Sequence, residues 1–288
     1  YCQYVVRCYT LMDKMNNPDR EPDTIATHLV DLNEALPGGG FEDSTMVVIA
    51  ARPGIGKTSL AMNFAEHAGV ELDQEVLVFS MEMQDTALID RICAANAQVS
   101  AKDLKNGELD AHDSKALEQA YHRVGTSPIN IDTDTNINHA DIRARSLRMK
   151  NTLDRKGKKL AMVIIDYLQL IKPVDSRAPR EQQIAEAARS FKQLSGELKC
   201  PVLVLSQLNR ASERDGREPR PSDLRESGAI EQDADVIILL HPVTIDGELP
   251  TPNEEAIKVI LGKVREGPRC DILTTFKNTY TKFTNFSR

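Results

Sequence analysis

One stretch constrains this chain more than any other. An apolar run, 46-MVVIA-50, leads directly into 50-AARPGIGKTSLAMNFA-65. The order is strand, tight glycine loop, Lys-Thr, helix, which is the order of a P-loop. Gly54 and Gly56 allow backbone N–H groups to turn inward around an anion, and the following helix points its positive end at the same place. Lys57 can reach outer phosphates, and the Thr58 hydroxyl can ligate Mg²⁺. The nucleotide-binding residues expected from this loop are Pro53, Gly54, Ile55, Gly56, Lys57, Thr58 and Ser59. The strict pattern asks for Gly at position 51, where this chain has Ala51.

The rest of the chain repeats the alternation that this loop begins. Short apolar runs predict strands at 46–50, 76–80, 129–132, 161–166, 202–206, 235–240, 256–261 and 271–276. Helical spacing predicts helices near 58–68, 85–97, 111–124, 138–151 and 181–198. Strands separated by helices imply an α/β fold, a mostly parallel twisted sheet covered on both faces. The last two strands have no helix between them; 262-GKVREGPR-269 joins them as an antiparallel edge hairpin. Residues 1 to about 16 have a helical apolar face, and 17-NNPDREPD-24 breaks it as a linker does. The expected organisation is therefore a linker helix and linker over 1–24, then one domain over 25–288. The chain opens mid-pattern at Tyr1 and is expected to be a piece of a longer protein.

Composition removes several function classes. The longest apolar runs are far shorter than the roughly 20 residues that a membrane helix needs. Five cysteines without a C-x-x-C pair, and six scattered histidines, argue against a disulfide framework or a structural zinc site. A net charge of −7 argues against a broadly basic nucleic-acid coat, but leaves room for a local basic track.

Three more strand ends carry polar groups. Asp166 closes 161-AMVIIDYLQL-170, placed to support a magnesium ion beside the loop. Glu82 in 76-VLVFSMEM-83 is expected to end a strand and could take a proton from an attacking water. Gln207 stands at the strand end in 202-VLVLSQLNR-210 and could hydrogen-bond a γ-phosphate and sense its loss. Taken alone, Glu82 is an ordinary surface carboxylate and Gln207 an ordinary backbone-binding amide. In 223-DLRESGAIEQDAD-235, Arg225, Ser227 and Gly228 suit a loop that grips phosphate by side chain and backbone N–H. The neighbouring loops hold few aromatic residues and so offer little for stacking.

Taken in order, 50-AARPGIGKTSLAMNFA-65, 79-FSMEM-83, 164-IIDYLQL-170, 205-LSQLNR-210, 222-SDLRESGAIEQDAD-235 and 262-GKVREG-267 resemble the RecA-like motor domain of DnaB-type replicative DNA helicases. The resemblance runs from about Leu32 to Phe283, and Ala51 is usual in that family. It implies ATP and Mg²⁺ as ligands, with Lys57 and Thr58 on phosphates and metal, and Asp166 supporting the metal. It implies Glu82 as the residue that polarises water, Gln207 as the γ-phosphate sensor, and Arg91 as an organiser of the site. Arg265 is then an arginine finger, with Lys263 its companion, both reaching a neighbouring subunit's nucleotide. Arg225, Glu226 and Gly228 are then the residues at single-stranded DNA. The resemblance further implies a homo-hexameric ring moving 5′ to 3′, a helical N-terminal collar absent from this chain, and contacts with a primase and a helicase loader. The expected location is the cytoplasm, in a bacterial nucleoid or a phage-infected cell. A recombinase or clock-type ATPase shares the sheet, and a regulatory nucleotide-binding module would keep the loop but could lose Glu82 or Arg265.

Overall fold

The computed structural model describes residues 24–173, 177–209, 216–224, 228–245 and 253–286. The expected helix over residues 1–16 lies outside the described residues, as do Arg225 and Glu226. A small antiparallel ribbon comes first, β1 (Thr24–Ile25) pairing with β2 (Phe41–Glu42) around the short helix α1 (Val30–Ala35). The main sheet contains β3 (Met46–Ala51), β4 (Glu75–Ser80), β5 (Ile129–Asp132), β6 (Leu160–Asp166), β7 (Val202–Gln207), β8 (Val236–Pro242), β9 (Glu254–Val264), β10 (Asp271–Lys277) and β11 (Lys282–Asn285). Packed around it are α2 (Lys57–Glu66), α3 (Asp85–Ala97), α4 (Ala101–Asn106), α5 (Ala111–Thr126), α6 (His139–Arg155), α7 (Arg180–Leu198) and α8 (Gly228–Asp233).

The spatial order is β11-β10-β9-β8-β3-β7-β6-β4-β5. The six strands from β8 to β5 are parallel, and β9, β10 and β11 are antiparallel. Every residue of β3 and β6 is buried, as expected of strands covered on both faces. Their side chains alternate between two cores. Val47, Ile49, Met162 and Ile164 join Leu60 and Phe64 of α2 and Ile92 of α3 on one face. Met46, Val48, Val163 and Ile165 join Ile184, Phe191 and Leu194 of α7 on the other.

Every expected strand and helix from residue 46 onward forms, with ends shifted by a few residues. The β9–β10 hairpin is present, but β11 lies outside β10 and forms the sheet's edge. Four residues are too short to signal a strand by alternation. β11 is held instead by tertiary contacts. Phe283 donates its N–H to Asn63 Oδ1 at 2.8 Å, and its ring stacks on Phe276 with centroids 4.5 Å apart. The helix α4 is also additional to the sequence reading; the Ser100 hydroxyl caps its start and Gly107 closes it in a left-handed conformation.

Candidate active site

The site is assembled by strand register. Ala51 at the end of β3 pairs with Gln207 at the end of β7, and Ser80 at the end of β4 pairs with Asp166 at the end of β6. Because these strands are parallel neighbours, all four ends open on the same edge of the sheet. The chain from β3 passes through α2 to β4, skipping over β7 and β6, and the crevice lies at that gap. A cleft of about 140 Å³ opens there, lined by Arg52, Gly54, Lys57, Thr58, Glu82 and Gln207 among others.

The glycine loop has the conformation its sequence requires. Gly54 and Gly56 sit at φ +86° and +94°, in the left-handed region. At Gly56 a Cβ would approach the Phe283 and Phe276 rings at 3.1–3.2 Å, so glycine serves both the turn and the packing behind it. Gly56 caps α2, whose first residues are Lys57, Thr58 and Ser59. Pro53 and Gly54 are exposed at the mouth, while Ile55 is half-buried against the core.

Behind the loop lies a compact polar cluster. Thr58 Oγ1 donates to Asp166 Oδ2 at 2.8 Å, and Lys57 Nζ faces Asp166 Oδ1 at 3.6 Å. Lys57 also lies over the Tyr167 ring, 4.1 Å from its centroid, a cation–π contact. Burial pushes the Lys57 ammonium below its usual value, against the pull of Asp166 and Glu82. Asp166 is buried, and its Oδ1 has no hydrogen-bond partner. An orphaned buried carboxylate oxygen beside a hydroxyl is a hard oxygen donor set, which fits a magnesium ion.

Glu82 corrects the sequence reading in one detail: β4 ends at Ser80, and Glu82 stands two residues beyond, exposed on the cleft wall. A local turn holds it there. Ser80 Oγ donates to the Met83 carbonyl and accepts the Met83 N–H, and the Met81 N–H donates to the Asp166 carbonyl at 2.8 Å. Arg91, half-buried on α3, is not among the cleft's lining residues.

Lys263 and Arg265 lie elsewhere. Arg265 directly follows β9, and its N–H donates to the Asp235 carbonyl. Asp235 precedes β8 and donates its N–H to Met46, the first residue of β3. Arg265 thus sits at the opposite end of the parallel strands from the glycine loop. Five residue steps along β3 separate the ends, roughly 17 Å. Lys263 Nζ donates to the carbonyls of Glu231 and Gln232 at the end of α8, whose first residue is the exposed Gly228.

Most other contacts at the site had no sequence signal. Arg52 donates to the Leu208 carbonyl at 3.0 Å, tying the glycine loop to the exit of β7. Gln169 donates to the Ser206 hydroxyl at 2.9 Å, next to Gln207. Tyr167 lies under Lys57. Only Tyr167 could have been suspected, from its position after Asp166.

Strand order, glycine loop and buried carboxylate define the class: a RecA-like P-loop fold built around a nucleotide-binding cleft. Residues 24–285 match the family model described as DnaB-like helicase C terminal domain. The chain is 35% identical over 286 residues to the replicative DNA helicase DnaB of Geobacillus stearothermophilus, covering 99% of this chain and 61% of that protein. Its structure is similar to that of the ATPase domain of G40P, with a TM-score of 0.85, 30% identity and 98% of each chain covered. It is also similar to a DnaB-like replicative helicase described with its interactions with primase, with a TM-score of 0.83, 30% identity, and 97% of this chain and 66% of that one covered. The chain belongs to the DnaB-like helicase C-terminal domain family. It spans about three fifths of the length of the replicative helicases it matches. No helix among the described residues is long and apolar enough to cross a membrane.

Proposed function

We propose that this chain is the motor portion of a ring-forming replicative helicase, which hydrolyses ATP at subunit boundaries and moves 5′ to 3′ along single-stranded DNA. The observation that carries the reading is the separation of the two halves of the machinery. The glycine loop, Lys57, Thr58, Asp166, Glu82 and Gln207 share one end of the strands. Arg265 stands at the other end, roughly 17 Å away, too far for one side chain to span. If Arg265 acts on a nucleotide, that nucleotide belongs to a neighbouring subunit.

Each group is assigned a distinct role in this reading. The backbone N–H groups from Gly54 to Lys57 cradle the phosphates at the start of α2. The Lys57 ammonium, released from Asp166, neutralises the outer phosphates. Thr58 Oγ1 and Asp166 would hold the magnesium ion, which when bound spreads charge from the phosphate oxygens. Glu82, at the cleft mouth, accepts the proton of the attacking water. Gln207 contacts the terminal phosphate and relays its loss into the segment after β7. Arg91 steadies the site from α3. Arg265, assisted by Lys263, stabilises transition-state charge in the next subunit's cleft. Arg225, Glu226 and Gly228 are proposed to track the DNA backbone, with Glu226 orienting a basic neighbour. Residues 1–24 serve as the linker to a neighbouring subunit and 25–288 as the motor, with primase and a loader as partners of the full protein.

The test is ATP turnover measured with and without single-stranded DNA over a range of protein concentrations. Turnover that rises with DNA and steepens with concentration supports the reading. Turnover linear in protein and indifferent to DNA overturns it, because each subunit would then hydrolyse alone.

A further inference from the structure

Asp235 is buried, yet its two carboxylate oxygens face different tasks. Oδ2 accepts the Met46 N–H at 2.8 Å and Lys192 Nζ at 2.7 Å. Lys192, on α7, also donates to the Ser44 carbonyl at 3.0 Å, where the Ser195 hydroxyl donates as well. This oxygen is therefore fixed to the rigid body, between the start of β3 and a long helix. Oδ1 accepts Arg265 NH1 at 2.9 Å, and the Asp235 carbonyl accepts the Arg265 N–H at 2.9 Å. The Arg265 side chain is nevertheless 67% exposed. It borders an open cleft of about 260 Å³ that Lys192, Asp235 and Thr45 also line. Burial alone would raise the Asp235 carboxyl; hydrogen bonds from Lys192, Met46 and Arg265 outweigh it and hold the group below the usual carboxylate range.

An exposed arginine ordinarily samples many rotamers, and fixing it at the moment of reaction would cost side-chain entropy. A buried, anchored carboxylate restricts it beforehand. We infer that Asp235 is the positioning residue of Arg265, holding the guanidinium by Oδ1 in the direction of the neighbouring subunit while Oδ2 is anchored to Met46 and Lys192. The inference rests on the proposal that Arg265 acts in a neighbour's cleft, and it deepens that proposal. Asp235 touches no nucleotide in this scheme. It acts only through Arg265.

The two oxygens allow a separating variant. In Asp235→Asn the single amide oxygen is drawn to the side with two donors, Met46 N–H and Lys192. The NH₂ group is then left facing Arg265, donor against donor. The anchorage survives and the arginine contact is lost. The test uses the full chain in assembled rings, with three variants: D235N, R265A and K57A. Mixing R265A with K57A pairs an intact arginine with an intact glycine loop across some boundaries. Recovery of turnover in that mixture tests the underlying reading by itself. With that recovery in hand, D235N alone should turn over at least tenfold more slowly, with unchanged binding of a non-hydrolysable ATP analogue. D235N mixed with K57A should recover as R265A does, and D235N mixed with R265A should not. Wild-type turnover in D235N overturns the inference, and so does a defect that K57A subunits do not relieve. If D235N does not fold, D235E keeps the charge but moves it by one methylene, and must show the same pattern of recovery. If R265A and K57A themselves fail to recover, Arg265 does not act in trans and both readings fall.

Discussion

At Asp166 a buried carboxylate holds Thr58 on one oxygen and leaves the other unbonded before Lys57. Lys57→Ala removes the only ammonium paired with that carboxylate among the described residues. Turnover should fall by roughly 10²-fold or more, as when a preorganised electrostatic donor is removed. Glu82→Gln keeps shape and loses the proposed base. Its turnover should drop by roughly 10²–10⁴-fold with ATP-analogue affinity nearly unchanged, a split that equilibrium binding alongside steady-state kinetics detects. A different residue contributes to acid sensitivity. His28 Nε2 meets the Phe283 carbonyl at 3.0 Å, so Nε2 carries the proton, and Nδ1 is buried without a partner. Burial, then the His67 charge, lowers its pKa to about 4. Protonation therefore favours the unfolded chain. The stabilisation is whole above pH 6.5 and is lost as pH falls towards 4, by up to about 3 kcal/mol. Melting temperatures measured from pH 7.5 to 4.5 should fall more steeply for the wild type than for His28→Gln, whose amide can still donate but does not titrate.

Among the elements, β11 is out of proportion to its four residues. It closes the sheet edge, bonds α2 through Asn63 and backs the glycine loop through Phe283. Phe283→Ala should cost about 3–5 kcal/mol, as buried aromatic truncations do. Because that ring lies against Gly56, nucleotide affinity should fall as well, which calorimetric titration would show. Gly56→Ala meets both constraints at once, a left-handed φ and two aromatic rings. The backbone term alone is roughly 1–2 kcal/mol. Thermal melts of the two variants should both be shifted down, with the smaller shift in Gly56→Ala unless the rings cannot yield.

For the whole molecule, the proposed function has the consequence that one subunit would carry two halves of two different sites. Lys263 extends this arrangement, since it caps the carbonyls at the end of α8 while Gly228 begins that helix. The β9–β10 hairpin and Gly228, proposed to lie at the DNA, are thereby tied to one short element. Arg265→Ala should therefore leave ATP binding intact and reduce turnover by about 10³–10⁵-fold. Loss of binding together with turnover would instead overturn a role for Arg265 confined to the transition state.

Much of this was legible in the chain because it is set locally. An apolar period of two or 3.6, bounded by glycine, proline or a cap, defines an element from its own residues. The glycine–Lys-Thr loop likewise sets its backbone shape within a few positions, and the residues closing β6 and β7 were visible as polar groups ending apolar runs. What the sequence could not order was which ends meet. Thr58 finds Asp166 across 108 positions, and Phe283 finds Asn63 across 220. Such contacts depend on strand order, and strand order is decided by how two whole faces bury their apolar side chains together. The same packing set Arg265 at the far end of the sheet, gave it Asp235 as a partner and turned a four-residue segment into the edge strand. None of these follows from any local pattern, because each joins groups whose proximity exists only once the sheet has closed.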